Sequence, residues 1–201
     1  MSGNDKQPGF FRRRWNDWYL HPMRSTLLTL LIVGLLGGII VGDGFGLLLE
    51  MTNTQEFCTS CHSMKGNLEE YKKTIHYTNR SGVRATCPDC HVPHKFIPKI
   101  LRKFEARKDV WGEIVGHIDT PEKFEAKRME MATREWQRMK DSDSMTCRGC
   151  HSFDAMSLEK QGQTRFGKHT KAREEGQTCI DCHKGIAHKL PKEYKDPNEE
   201  E

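Results

Sequence analysis

Cys58-Thr-Ser-Cys61-His62, Cys87-Pro-Asp-Cys90-His91, Cys147-Arg-Gly-Cys150-His151 and Cys179-Ile-Asp-Cys182-His183 are four copies of one pattern, C-x-x-C-H, and together they use all eight cysteines of the chain. That pattern is the attachment signature of a c-type haem. In each copy the two thiols form thioethers to the porphyrin, and the adjacent histidine is placed under the iron as an axial ligand. Paired disulfides or zinc sites would also use an even number of cysteines, but neither needs a histidine after every second one. Four covalently bound haem c groups are the expectation.

Composition agrees. With 201 residues and 35% apolar content, the chain has too few apolar side chains for an ordinary core, so the haems must supply it. The 151 residues that follow Glu50 leave about 38 per haem, which packs the macrocycles against one another at electron-transfer distance. The expected fold is mainly α: one N-terminal transmembrane helix plus a small multihaem cytochrome c domain with a haem-filled core and irregular loops. The formal charge of +4 is offset by the haem propionates, which removes nucleic acid as a partner.

Working outward, residues 27–49 read LLTLLIVGLLGGIIVGDGFGLLL, 23 residues broken by one charge, Asp43. At 1.5 Å per residue such a helix covers roughly 35 Å, enough to cross a hydrocarbon core of about 30 Å. A cleaved secretory signal would also start basic and continue apolar, but the run ends without a small-residue cleavage site. Arg12, Arg13, Arg14 and Arg24 precede it and keep residues 1–26 cytoplasmic. Trp15, Trp18 and Tyr19 suit the inner headgroup layer, and His21 stays on the cytoplasmic side, out of reach of the haems. Residues 50–190 are then a periplasmic domain on a single-pass anchor in the inner membrane. Gly34, Gly38, Gly42 and Gly46 share one helix face, where a second copy or another helix could approach closely. Asp43, near the outer end, reads as a hydrated interfacial residue or as part of a proton path.

The motif histidines are separated by 29, 60 and 32 residues, so the haems come as two dihaem modules, about 50–117 and 140–190. Each half has a histidine between its motifs, His76 and His169, and another just after its second motif, His94 and His188. These are the supply of distal ligands. Ile100, Leu101, Phe104, Trp111, Ile114 and Val115 follow helical spacing after Pro98 and share one apolar face. Thr120-Pro121 starts a second helix, to about Met139. The charged tail, 191–201, is expected to be disordered.

The single N-terminal anchor, Cys58-Thr-Ser-Cys61-His62-Ser-Met64, Cys87-Pro-Asp-Cys90-His91-Val-Pro-His94, Gly116-His-Ile-Asp-Thr120 and Cys179-Ile-Asp-Cys182-His183-Lys-Gly-Ile-Ala-His188 together resemble the NapC/NirT family of membrane-anchored tetrahaem quinol dehydrogenases. The resemblance covers nearly the whole chain. It implies oxidation of a quinol, menaquinol or ubiquinol, in anaerobic respiration, with the electrons handed to a periplasmic reductase, nitrate reductase first. It also implies residue roles. Met64 matches a methionine that ligates the first iron in place of the motif histidine, so His62 and Met64 compete there. His76 matches the distal ligand of the fourth haem and His188 that of the third, while Lys103 matches a lysine ligating the second. Asp109 matches an acid beside the first haem at the quinol pocket, with Lys103 shaping the local field. His91, His151 and His183 are the remaining axial ligands from the motifs, and His94, His117 and His169 are read as hydrogen-bonding or surface residues, His169 being the reserve ligand. Competing readings are a broad-acceptor electron hub, a relay without its own quinol site, and a terminal reductase acting at an open haem.

Overall fold

The computed structural model describes Arg13, Trp15 and residues 25–195. The expectations for Arg12, Arg14, Trp18, Tyr19, His21, Arg24 and residues 196–201 lie outside them. The chain divides into two compact units, Met1–Met51 and Thr52–Glu201.

The first unit holds α1, Ser25–Met51. Among the described residues it is the one helix long and apolar enough to cross a membrane. Its leucines and isoleucines are largely exposed, as befits a segment whose solvent is lipid. A Cβ added at Gly34, Gly38, Gly42 or Gly46 would meet nothing within 4 Å, so that face stays open.

The second unit is a set of short helices joined by turns, with no strand among the described residues. In order they are α2 (Gln55–Cys58), α3 (Met64–Tyr71), α4 (Cys87–His91), α5 (Phe96–Glu105), α6 (Arg107–Ile114), α7 (Pro121–Ala126), α8 (Arg128–Asp141), α9 (Met145–Arg148), a 3₁₀ turn (Phe153–Ala155), α10 (Leu158–Gln161), α11 (Gln163–Glu174) and α12 (Cys179–Cys182). The apolar stripe from Ile100 to Val115 belongs to two helices, because the chain turns at Ala106 between α5 and α6. Pro98 sits in the first turn of α5, where its missing N–H costs nothing. Thr120 does start a helix, its hydroxyl accepting from Lys123 N–H, but the run breaks at Lys127 into α7 and α8.

Local sequence explains two of the haem-motif helices. Thr86 and Thr178 cap α4 and α12 while Asp89 and Asp181, three residues on, accept the cap backbone N–H at 2.7 and 2.9 Å. That is a capping box written as T-C-x-D-C-H, so the otherwise variable third position of these motifs is a structural aspartate. Lys140 Nζ bonds Asp181 Oδ1 at 2.8 Å and ties α12 to α8.

Almost no protein core exists. Among the described residues of this unit only Tyr71, Ile118, Met139 and Ile180 are buried large apolar side chains. The tail is ordered further than expected: Pro191 is buried and Tyr194 packs edge-on against Trp136 at 5.0 Å.

Candidate haem-binding cavity

Where a core would sit there is a cavity of about 3010 Å³. Ordinary ligand pockets run about 300–1,000 Å³, so this space is sized for several large groups. Seven of the eight motif cysteines line it, all but Cys61. None of the eight is paired in a disulfide. Among the described residues no three His, Cys, Asp or Glu side chains converge on a point that could hold a bare ion. Zinc is thereby set aside.

The histidines face one another in pairs. His76 and His151 have ring centroids 6.2 Å apart, His91 and His188 6.1 Å, and His169 and His183 5.9 Å. Two imidazoles bound through nitrogen at about 2 Å on opposite sides of one metal place their ring centroids roughly 6 Å apart. Ligation also needs neutral rings. Burial lowers His76 and His183, and it pushes His188 down to about 4 with help from the charge of His91. The donor set therefore fits three bis-histidine haems, each with one motif histidine and one distal histidine.

This pairing differs from the expected one. His76 faces the third motif rather than the fourth, and His188 faces the second rather than the third. His169, expected only as a reserve, faces the fourth. Lys103 Nζ donates to the Thr52 carbonyl at 3.0 Å and to Thr52 Oγ1 at 2.8 Å. The physical reason is that the two halves of the domain interlock. His76 reaches forward to the second half and His188 reaches back to the first. His94 and His117 are exposed.

The first motif is built differently. His62 is exposed and does not line the cavity, whereas Cys58 and Met64 do. The cause is Glu113 on α6: its Oε1 accepts from His62 N–H at 3.1 Å and from Ser63 N–H at 3.4 Å. These bonds hold the turn so that Met64, at the start of α3, points inward. Asn67 Nδ2 lies 3.7 Å from Met64 Sδ. Lys103 and Asp109 line the same cavity, and Asp109 is ion-paired with Arg134. Burial raises the Cys58 thiol, with the Lys103 charge acting against it.

Sequence reasoning missed Glu135. Its Oε1 lies 2.6 Å from His91 Nδ1, while Arg138 Nε donates to its other oxygen at 2.9 Å and Arg102 stands at 3.6 Å. Burial opposes its ionisation, but the bonds from Arg138 and His91 prevail and hold the carboxyl well below its usual range. No spacing rule links residues 44 apart; only the helix pattern of α8, with Glu135 and Arg138 one turn apart, hinted at it.

A helical chain that wraps four C-x-x-C-H motifs and three facing histidine pairs around one cavity, behind a helix able to cross a membrane, is a membrane-anchored multihaem c-type cytochrome. The chain belongs to the NapC/NirT cytochrome c family, whose N-terminal-region model matches residues 21–193. It is 53% identical to the cytochrome c-type protein NapC of Escherichia coli (strain K12), over 95% of this chain and 96% of that one. It is 56% identical to the denitrification system component NirT of Stutzerimonas stutzeri, over 88% and 89% respectively. A tetraheme cytochrome-c type protein of Allochromatium vinosum is 50% identical over 84% of this chain and 92% of its own. No solved structure matches. The chain is accordingly a tetrahaem cytochrome c of electron transport.

Proposed function

We propose that the chain oxidises menaquinol or ubiquinol at the inner membrane and passes the electrons, one at a time, to a periplasmic reductase, with nitrate reductase as the first candidate. Residues 1–26 stay cytoplasmic, the anchor of 27–49 crosses once, and the haem domain of 50–190 faces the periplasm. The glycine face of α1 is where a second copy would approach. When bound, the haems supply one-electron transfer.

The observation that carries the reading is the asymmetry of the first motif. Three sites have a histidine on each side; the first has Met64, with Lys103 and Asp109 on the cavity wall and no facing histidine among the described residues. We assign Met64 as the ligand there, His91 with His188, His151 with His76, and His183 with His169. Quinol oxidation releases two protons with its electrons, and a base beside the open site must accept them. Asp109, oriented by Arg134, is that acceptor, and the Lys103 ammonium sets the field beside it.

The test is electron paramagnetic resonance of the oxidised, detergent-purified protein, followed by reduction with a quinol analogue. A high-spin signal beside low-spin ones, with rapid reduction, is expected. In Asp109→Asn the four haems should remain and quinol oxidation should be lost. Unchanged turnover in that variant would remove Asp109 from the role, and an all-low-spin protein that quinol does not reduce would leave a relay fed by another protein.

A further inference from the structure

Helices α5 and α6 are built inside out. In a helix packed on a water-soluble domain, the apolar stripe faces inward and the charges face out. Here Phe96, Ile97, Leu101 and Phe104 of α5 are 59–66% exposed, and Trp111 and Ile114 of α6 are 63% and 70% exposed. Four charged side chains, Arg102, Lys103, Asp109 and Glu113, turn toward the domain instead. Arg102 donates to the His91 carbonyl at 3.1 Å and meets Glu135, Lys103 bonds Thr52, Asp109 pairs with Arg134, and Glu113 holds the turn at His62. These inward bonds fix the rotation of both helices, so the apolar face cannot roll under the domain.

We propose that this face lies in the interfacial layer of the same bilayer that α1 crosses, as a second, in-plane membrane contact. Covalent continuity supplies the occupant. Thr52, which Lys103 holds by two hydrogen bonds, is the residue directly after Met51, the last residue of the apolar helix, so α5 is fastened where the chain leaves the membrane. Residue chemistry agrees. Large aromatic and aliphatic side chains form one face, and the exposed Lys95 and Arg107 supply cations for phospholipid headgroups. The Arg107 guanidinium stands 4.6 Å from the centre of the Phe104 ring, placing a cation beside the ring at the edge of the patch. The geometry stands without the quinol reading. If that reading holds, the contact has a consequence: α6 also carries Asp109, so a reactant dissolved in lipid would meet the cavity wall without crossing bulk water.

The full-length haem protein is reconstituted, one copy per nanodisc and with no other protein, in phosphatidylcholine and phosphatidylglycerol doped with a diazirine-bearing lipid. After photolysis, adducts are mapped by mass spectrometry. Lipid adducts are expected on peptides of Phe96–Glu105 and Arg107–Ile114 as well as on Ser25–Met51. Leu158, 49% exposed and on α10, serves as an internal control and should stay unlabelled. In Leu101→Asp/Phe104→Asp, with four haems retained, adducts on α6 should fall at least tenfold. Adducts on the anchor alone would overturn the proposal and leave the face to a protein partner; labelling of Leu158 equal to that of α5 would overturn it as well. Because neither result depends on turnover, failure here is separate from failure of the quinol assignment.

Discussion

Replacing Glu135 by Gln should raise the reduction potential of the haem attached at Cys87 and Cys90 and leave the other three where they are. His91 donates its Nδ1 proton to this carboxylate at 2.6 Å, which pushes negative charge onto the ring and favours the oxidised iron. Elsewhere the comparable bond is weaker. His169 Nδ1 faces the neutral amide oxygen of Gln161 at 2.9 Å, and His76 Nδ1 meets no partner among the described residues. A hydrogen bond to a charged group contributes about 1.5–3 kcal/mol against about 0.5–1.5 for a neutral one. The difference of about 1.4 kcal/mol is tenfold in the oxidised-to-reduced equilibrium, or about 59 mV for one electron. Arg102 and Arg138, left without their carboxylate, act in the same direction because uncompensated positive charge favours the reduced haem. The assay is a spectroelectrochemical titration of the four-haem protein resolved into one-electron components, with haem content and a melting curve to show that the fold survives. One component should move up and three should stay. Glu135→Asp should move it less, since the charge is kept and the reach shortened. A titration in which no component moves, or in which all four move together, would refute the reasoning.

Three further outcomes follow from single contacts. Glu113→Gln loses the charged acceptor of the His62 and Ser63 amides, which frees His62 to turn into the cavity; the high-spin resonance signal should shrink in favour of a low-spin one. Gly185 has φ of +75° and a Cβ there would lie 3.0 Å from Leu190 Cγ, so Gly185→Ala should cost at least the left-handed penalty of about 1–2 kcal/mol and disturb His188, read as a lower melting point and an altered low-spin signal. Burial opposes ionisation of Glu70, but the bonds from Arg128 and Lys189 N–H outweigh it, so its folded value lies below the ordinary 4.5. Its stabilisation is therefore complete above that ordinary value and is lost as pH falls through the folded one. The melting point should hold from neutral pH to about 5, fall below about 4.5, and fall less in Glu70→Gln.

Some of this architecture can be read from residue types alone and some cannot. The four attachment motifs and the apolar anchor depend on local spacing, and local spacing survives folding. The histidine pairs depend on contacts between the halves: His76 with His151, and His188 with His91. Local spacing does not specify which motif histidine each meets, so the pairing implied by the resemblance differs from the one the structure brings together, and His169 stood only in reserve. The turn between His62 and Met64 is held by Glu113, about 50 residues away, through two backbone amides, a contact that no local spacing announces. The T-C-x-D-C-H capping box was in plain view and explains the aspartates at 89 and 181, but it carries no chemistry of its own.

The apolar stripe from Ile100 to Val115 is the most instructive case. Periodicity says which side chains share a face, but not which way that face points. In an ordinary small domain direction is settled by scarcity, because the core needs every large apolar side chain it can recruit. Here the macrocycles fill the interior, and only four large apolar side chains of the haem domain are buried among the described residues. Phe96, Leu101, Phe104 and Trp111 are thereby released from the core. The charges that would normally face water are instead drawn inward by groups needing compensation: Arg102 by Glu135, and Glu113 by the amides at His62. Filling a protein core with a cofactor thus frees an apolar surface for use outside it, and the membrane contact proposed above is one such use. Polar substitutions on α5 should therefore leave haem content and thermal stability nearly unchanged in detergent while weakening adhesion to lipid; a large loss of haem in detergent would mean that the face is core after all.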